Sequence, residues 1–150
     1  MSDSDLIKLY SGRILELTTQ IPHTERLENP DATVRRRSPL CGSTVTVDVI
    51  LEDGKIKDFG QDVKACALGQ AAASVVGAHV IGRTRAEVEK ARDELKAMLK
   101  DGGDPPSPPF DELEVLLPAR EYKNRHASIM LALEATVEAM AEAEKSAQAC

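Results

Sequence analysis

The chain has 150 residues, 42% hydrophobic and 29% charged, with a net charge of −6, which suits one folded domain with its own core rather than a disordered chain. Only 3% of residues are aromatic and none is Trp, so stacking platforms for single-stranded nucleic acid are missing, and the acidic balance disfavours binding to a phosphate backbone. No apolar run reaches the roughly 18 residues of a membrane span, and the acidic start Met1-Ser2-Asp3-Ser4-Asp5 lacks the basic and apolar regions of a signal peptide; a cytoplasmic protein with neither nucleic acid nor membrane as partner is expected.

Residues 5–18 put Ile7, Tyr10, Ile14 and Leu17 on one helical stripe. A polar connection over residues 20–30 contains Pro22, His23 and Asn29-Pro30, and residues 31–37 predict a short strand. A loop follows, Ser38-Pro39-Leu40-Cys41-Gly42-Ser43, punctuated by a Pro and a Gly. Residues 44–51 alternate, with Val45, Val47, Val49 and Leu51 on one face, as a half-buried strand does. Asp53-Gly54 is a strong hairpin signal, and residues 55–64 return as a second strand carrying Ile56 and Val63.

The rest of the chain reads as helical. Residues 67–78 form an Ala-rich helix that starts at Cys66. Thr84-Arg85-Ala86-Glu87 is a capping box opening a helix to about Leu99, with Val88, Ala91, Leu95 and Met98 at core spacing. Residues 101–109, with four Pro and two Gly, are a loop, and residues 113–117 are short and apolar. A last amphipathic helix is predicted from about 125 to 145, with Ile129, Leu133, Val137 and Met140 inward. The fold class expected is α+β, a small antiparallel three-stranded sheet with helices packed on one face. A single domain spans 1–150, and residues 142–150 are expected to form a mobile tail.

Three cysteines, Cys41, Cys66 and Cys150, are an odd number, which argues against a disulfide framework; Cys150, at the chain end, is set aside. Cys41 precedes a Gly that lets the backbone approach a ligand closely, and the upstream cations Arg35, Arg36 and Arg37 favour a thiolate. Cys66 sits at a helix start, whose positive dipole end does the same. The two are either a paired site or two buried small hydrophobes.

Cys41-Gly42-Ser43, a hairpin, and then Cys66-Ala67-Leu68-Gly69-Gln70 leading into a small-residue run with Ser74 together resemble the U-type iron–sulfur cluster assembly scaffold family (IscU, SufU and the NifU N-terminal domain). The resemblance runs over nearly the whole chain and implies that family's α+β fold, shared with SufE-like proteins. It implies a scaffold rather than an ordinary enzyme, one that binds iron or a labile cluster, such as [2Fe–2S], and passes it on. Its partners would be a cysteine desulfurase and recipient apoproteins.

The family's site has three cysteines and an aspartate. By the resemblance Cys41 and Cys66 match two of the cysteines and would ligate metal and accept persulfide, with Cys41 the persulfide-accepting candidate. Ser43 stands at the aspartate position, as a weak ligand at most. The third-cysteine position falls in Arg125-His126-Ala127-Ser128-Ile129, where His126 is read either as the third ligand or as a satisfied histidine at a helix start. A Cys₂His set with an open position also suits Zn²⁺.

Two other readings follow. One is a SufE-like sulfur acceptor using Cys41, and the other is a zinc-binding structural or regulatory module. His23 and His79 read as surface or structural. Arg35 to Arg37 read as a docking patch or a solvated charge run. Lys123, Asn124 and Arg125 would stabilise incoming sulfide charge or merely cap a helix, and Glu134, Glu138, Glu142 and Glu144 form a solvated acidic face.

Overall fold

The computed structural model describes residues 11–39 and 42–149, with side chains through 147. In chain order these are α1 (Gly12–Thr18), β1 (Ala32–Arg37), β2 (Thr44–Glu52), β3 (Lys55–Lys64), α2 (Ala67–His79), α3 (Arg85–Lys100), a 3-10 helix (Asp111–Glu121) and α4 (Lys123–Ala149). The strands form one antiparallel sheet in the order β1-β2-β3. The α+β expectation is met.

Alternation decides the sheet. Val45, Val47 and Val49 are buried on one face, joined there by Val34 of β1 and by Ile56 and Phe59 of β3. Ile56 and Phe59 are an odd number of residues apart, so a regular strand would send them to opposite faces. A register shift between Ile50 and Leu51 leaves Asp58 opposite Ile50 and Ile56 opposite Leu51, and that bulge turns both side chains inward. Asp53 and Gly54 both adopt positive φ, 54° and 76°, as a two-residue hairpin with the twist of its strands requires.

The capping box forms as read. The Thr84 side chain accepts from the Glu87 backbone N–H, and the Glu87 carboxylate accepts from the Thr84 N–H. Val88, Ala91, Leu95 and Met98 of α3 are buried, as are Ile129, Leu133, Val137 and Met140 of α4. One hydrophobic cluster joins the sheet's inner face to α1 through α4 and the 3-10 helix.

The sheet's outer face is crossed by residues 22–27. The Arg26 guanidinium donates to both Asp48 carboxylate oxygens, at 2.7 and 3.0 Å, and the Leu27 N–H and Thr33 hydroxyl donate to the same group. This strap lies directly on Gly60, where a Cβ would stand 2.6 Å from the Glu25 carbonyl. Along the β3 edge the Gln61 N–H donates to the His23 carbonyl, and the Gln61 side-chain amide donates to Pro22 and Ala73 carbonyls.

At three places the structure adds to the reading. Of the helix expected over 5–18, the described part begins at Gly12, with Ser11 as N-cap; Ile14 and Leu17 are buried, and Ile7 and Tyr10 lie outside the described residues. The apolar stretch 113–117 lies inside an 11-residue 3-10 helix that buries Leu113, Leu116 and Ala119 around Pro118. Residues 142–149 continue α4, because Ala143 is buried in the core and the Glu144 carboxylate accepts from Arg85 at 2.7 Å.

Candidate cysteine site

Cys66 is the N-cap residue of α2, but its side chain makes no capping bond to the first turn. The sulfur instead meets the Ser128 hydroxyl of α4, with Sγ 3.4 Å from Oγ. Ser128 donates in turn to the Ser43 hydroxyl at 3.0 Å. Both serines are almost fully buried, while Cys66 is half-exposed. Ser43, the residue entering β2, is thereby joined to the start of α2 through one side chain of α4.

Each partner is placed by its own element. The loop between β1 and β2 closes on itself through Ser38 N–H to the Ser43 carbonyl (2.8 Å) and Gly42 N–H to the Ser38 carbonyl (2.9 Å), with Gly42 at φ 71°. The Arg37 guanidinium lies over that turn, 3.9 Å from where a Gly42 Cβ would be. Gln70 fixes the approach to α2 by donating from its side chain to the Ala65 carbonyl at 2.8 Å. Gly69 lets α4 come close, since a Cβ there would sit 2.5 Å from the Ser128 hydroxyl oxygen. Cys41 and Leu40 lie outside the described residues, and so does Cys150.

His126 is placed elsewhere. It stands two residues before Ser128, and on a helix that separation is about 200° of rotation. Its ring faces the 3-10 helix, with Nε2 donating to the carbonyls of Ala119 (2.9 Å) and Arg120 (3.1 Å), and it is 2% exposed. Its Nε2 is bonded to those two carbonyls while Nδ1 is buried without a partner, and Ser128 is the α4 side chain that reaches Cys66. Among the described residues no three His, Cys, Asp or Glu side chains gather as a metal-binding group. The set brought together among the described residues is one thiol and two hydroxyls.

The other candidates sit apart. The His23 ring packs edge-on to Phe59, with centroids 6.1 Å apart, and His79 lies in the last turn of α2. Arg36 is drawn to α4, pairing with Glu138 at 2.9 Å and Glu134 at 3.9 Å, so those two carboxylates are partly neutralised rather than free. Sequence reasoning missed Ser128. Its signal is a hydroxyl heading a line of small buried residues on α4 (Ser128, Ala132, Ala135, Ala139) that matches Gly69 three residues after Cys66.

The chain matches the family profile described as the NifU-like N terminal domain over residues 9–115. It is 26% identical over 140 residues to the iron-sulfur cluster assembly scaffold protein IscU of Streptococcus pyogenes serotype M1, covering 93% of this chain and 87% of that one. The IscU scaffold protein of Thermotoga maritima is 26% identical over 90 residues, 60% of this chain and 63% of its own. Among solved structures, the N-terminal part of a nitrogen-fixing NifU-like protein from Brucella abortus superposes with a TM-score of 0.92 at 41% identity, covering 94% of this chain and 98% of that one. A protein described as a putative iron-sulfur cluster assembly scaffold for the SUF system of Fervidobacterium islandicum AW-1 shares the fold, with a TM-score of 0.80 at 20% identity over 89% of this chain and 98% of its own.

Proposed function

The chain belongs to the NifU-like N-terminal domain family, and from that premise we propose that it works as an iron–sulfur cluster assembly scaffold of weak hold, with Cys66 as the sulfur that receives the cargo. A scaffold of this kind is not an ordinary enzyme, and it exchanges material with a sulfur donor and with recipient apoproteins. We assign the donor role to a cysteine desulfurase and the whole of 1–150 to one domain.

The observation that supports this reading is the Cys66–Ser128–Ser43 contact. It ties the start of α2 to the loop that carries Cys41, since Ser43 is only two residues along the chain from that cysteine and consecutive Cα atoms are about 3.8 Å apart. Cys41 is proposed as the second thiolate. A thiolate of this pair attacks the outer sulfur of a donor persulfide; the new S–S bond forms as the donor's S–S bond breaks, and the donor leaves as a thiolate. Iron or a cluster is then cargo held between the two sulfurs.

The donor set tells how tightly. Ser43 and Ser128 are neutral hydroxyls, much poorer ligands for iron than thiolate or carboxylate, so a cluster bound here is labile. The same two hydroxyls favour, as a second reading, a SufE-like protein that carries persulfide alone. His126 is proposed as structural rather than as a ligand, its Nε2 being committed to two carbonyls.

Anaerobic reconstitution with iron, cysteine and a desulfurase separates the readings. The scaffold reading expects a visible charge-transfer band and retained iron and sulfide, abolished in Cys66→Ala and Cys41→Ala and unchanged in His126→Gln. Colourless protein that carries persulfide by mass spectrometry would move the assignment to sulfur carriage.

A further inference from the structure

We propose that the sheet's outer face, over the two rungs next to the cysteine site, is the docking surface for the sulfur-donor protein and takes a carboxylate-bearing part of it, which rests on the reading of Cys66 as the thiol that receives sulfur.

Strand pairing lays the surface out rung by rung, because directly paired residues of neighbouring strands point to the same face. Thr33, Asp48 and Gly60 form one rung, Arg35, Thr46 and Asp62 the next, and Arg37, Thr44 and Lys64 the last. All three are on the outer face, since Val45, Val47 and Val49 alternate with them into the core. The strap over residues 22–27 closes the first rung through Asp48 and Gly60. The other two rungs stay open: Arg35, Arg37 and Lys64 are exposed, and Thr44 and Thr46 between them are half-buried.

The same alternation splits the run of three arginines. Arg36 turns inward to the carboxylates of α4. Arg35 and Arg37 turn outward and form no ion pair with any described residue. Lys64 has the Asp62 carboxylate 4.0 Å away, but its own side chain is 78% exposed, and such a contact is worth little. Three cations thus face one carboxylate over two rungs, on a chain whose net charge is −6.

Position and size choose the occupant. Lys64 stands two residues before Cys66, Thr44 adjoins Ser43, and the Arg37 guanidinium lies over the Gly42 turn. A partner seated on these side chains has its edge at the cysteine site. Three strands about 4.8 Å apart make a patch about 10 Å wide, enough for a few carboxylates. A long polyanion would run past it and meet the repulsion of an acidic chain. Sulfur exchange also needs such a seat, because a thiolate and the outer sulfur of a persulfide react only when held aligned at contact.

The test follows association of the full chain with a purified cysteine desulfurase, without free cysteine, in about 0.05 and 0.5 M salt. Arg35→Glu and Lys64→Glu, at exposed positions, are each expected to slow association several-fold, and together about tenfold or more, at unchanged melting temperature. The difference should vanish at the higher salt. Lys90→Glu, on the exposed side of α3, changes the net charge equally and should leave the rate near the parent's. Equal slowing by Lys90→Glu, or a double variant that associates like the parent, overturns the proposal. So does a double variant that keeps the desulfurase but loses binding to anionic vesicles or cluster transfer to an apo-ferredoxin, which gives the face to a membrane or to a recipient. A desulfurase that loads sulfur onto Cys66 and associates alike with parent and double variant removes this surface while the proposed function stands. One that neither binds nor loads the parent chain removes both.

Discussion

On the proposed reading, Ser128 decides what Cys66 can hold. Its hydroxyl gives the sulfur a hydrogen-bond partner at 3.4 Å but adds no charge with which to grip a metal cation. Replacing one oxygen by sulfur at that position changes little in volume and supplies a third soft ligand from the side where α4 approaches. Ser128→Cys is therefore expected to slow iron loss from the reconstituted protein on the order of tenfold or more, read as iron per chain after desalting at timed intervals. Iron loss as fast as in the parent protein would mean that the cargo does not sit at Cys66. The sequence hid this role because phase is everything at a helix start: the residue that touches the site is two positions beyond His126, and two positions on a helix are half a turn or slightly more.

At the scale of elements, the site depends on how closely α2 and α4 pack. Gly69 is a position of close approach, since a Cβ would fall 2.5 Å from the Ser128 oxygen of α4 and 2.9 Å from the Ala65 Cβ. An exposed helix-interior Gly→Ala change ordinarily stabilises by up to about 1 kcal/mol. Here the overpacking cost, about 1–3 kcal/mol, opposes it and outweighs it. Gly69→Ala is expected to lower the melting temperature by a few degrees and to alter the rate at which Cys66 is alkylated. A melting temperature that holds or rises would show that the two helices do not meet at that distance. The elements read from sequence with most success were those with a local period or a local signature: β2 by alternation, the hairpin by Asp53-Gly54, and α3 by its capping box. The 3-10 helix had no such period to read, because Pro118 sits within it and its turns do not repeat at the α-helical spacing.

Over the whole molecule, the Asp48 carboxylate is the buried charge on which acid stability turns. Burial pushes its pKa up, but hydrogen bonds from Arg26, Thr33 and the Leu27 N–H, with the Arg26 charge, outweigh that and leave it below the usual aspartate range. A carboxyl depressed on folding contributes stability that is complete above its unfolded pKa of about 3.9 and is lost as the pH falls through its lower folded value. Denaturant melts are expected to show stability falling below about pH 4, and Asp48→Asn should lower stability at neutral pH while flattening that acid limb. An acid limb as steep in the variant would assign the effect to other carboxylates. The strap that makes these bonds was legible only as a polar connection, since Arg26 and Asp48 lie 22 residues apart and nothing periodic links them. The half of the cysteine site carried by residues 42–43 and 66–70 was legible because its residues adjoin strand and helix ends, and the half carried by α4 was not.

The same strap has a bearing on assembly. Along β3 the outward backbone is occupied at two places, by His23 at Gln61 and by Gly82 and Arg83 at Ile56, so another chain cannot extend a ladder along the whole of this side. Growth by strand addition is left to β1, and there three arginines follow one another from 35 to 37. Two copies meeting edge to edge would set like charges in register, so the sheet is obstructed on one side by its own chain and guarded on the other by repulsion.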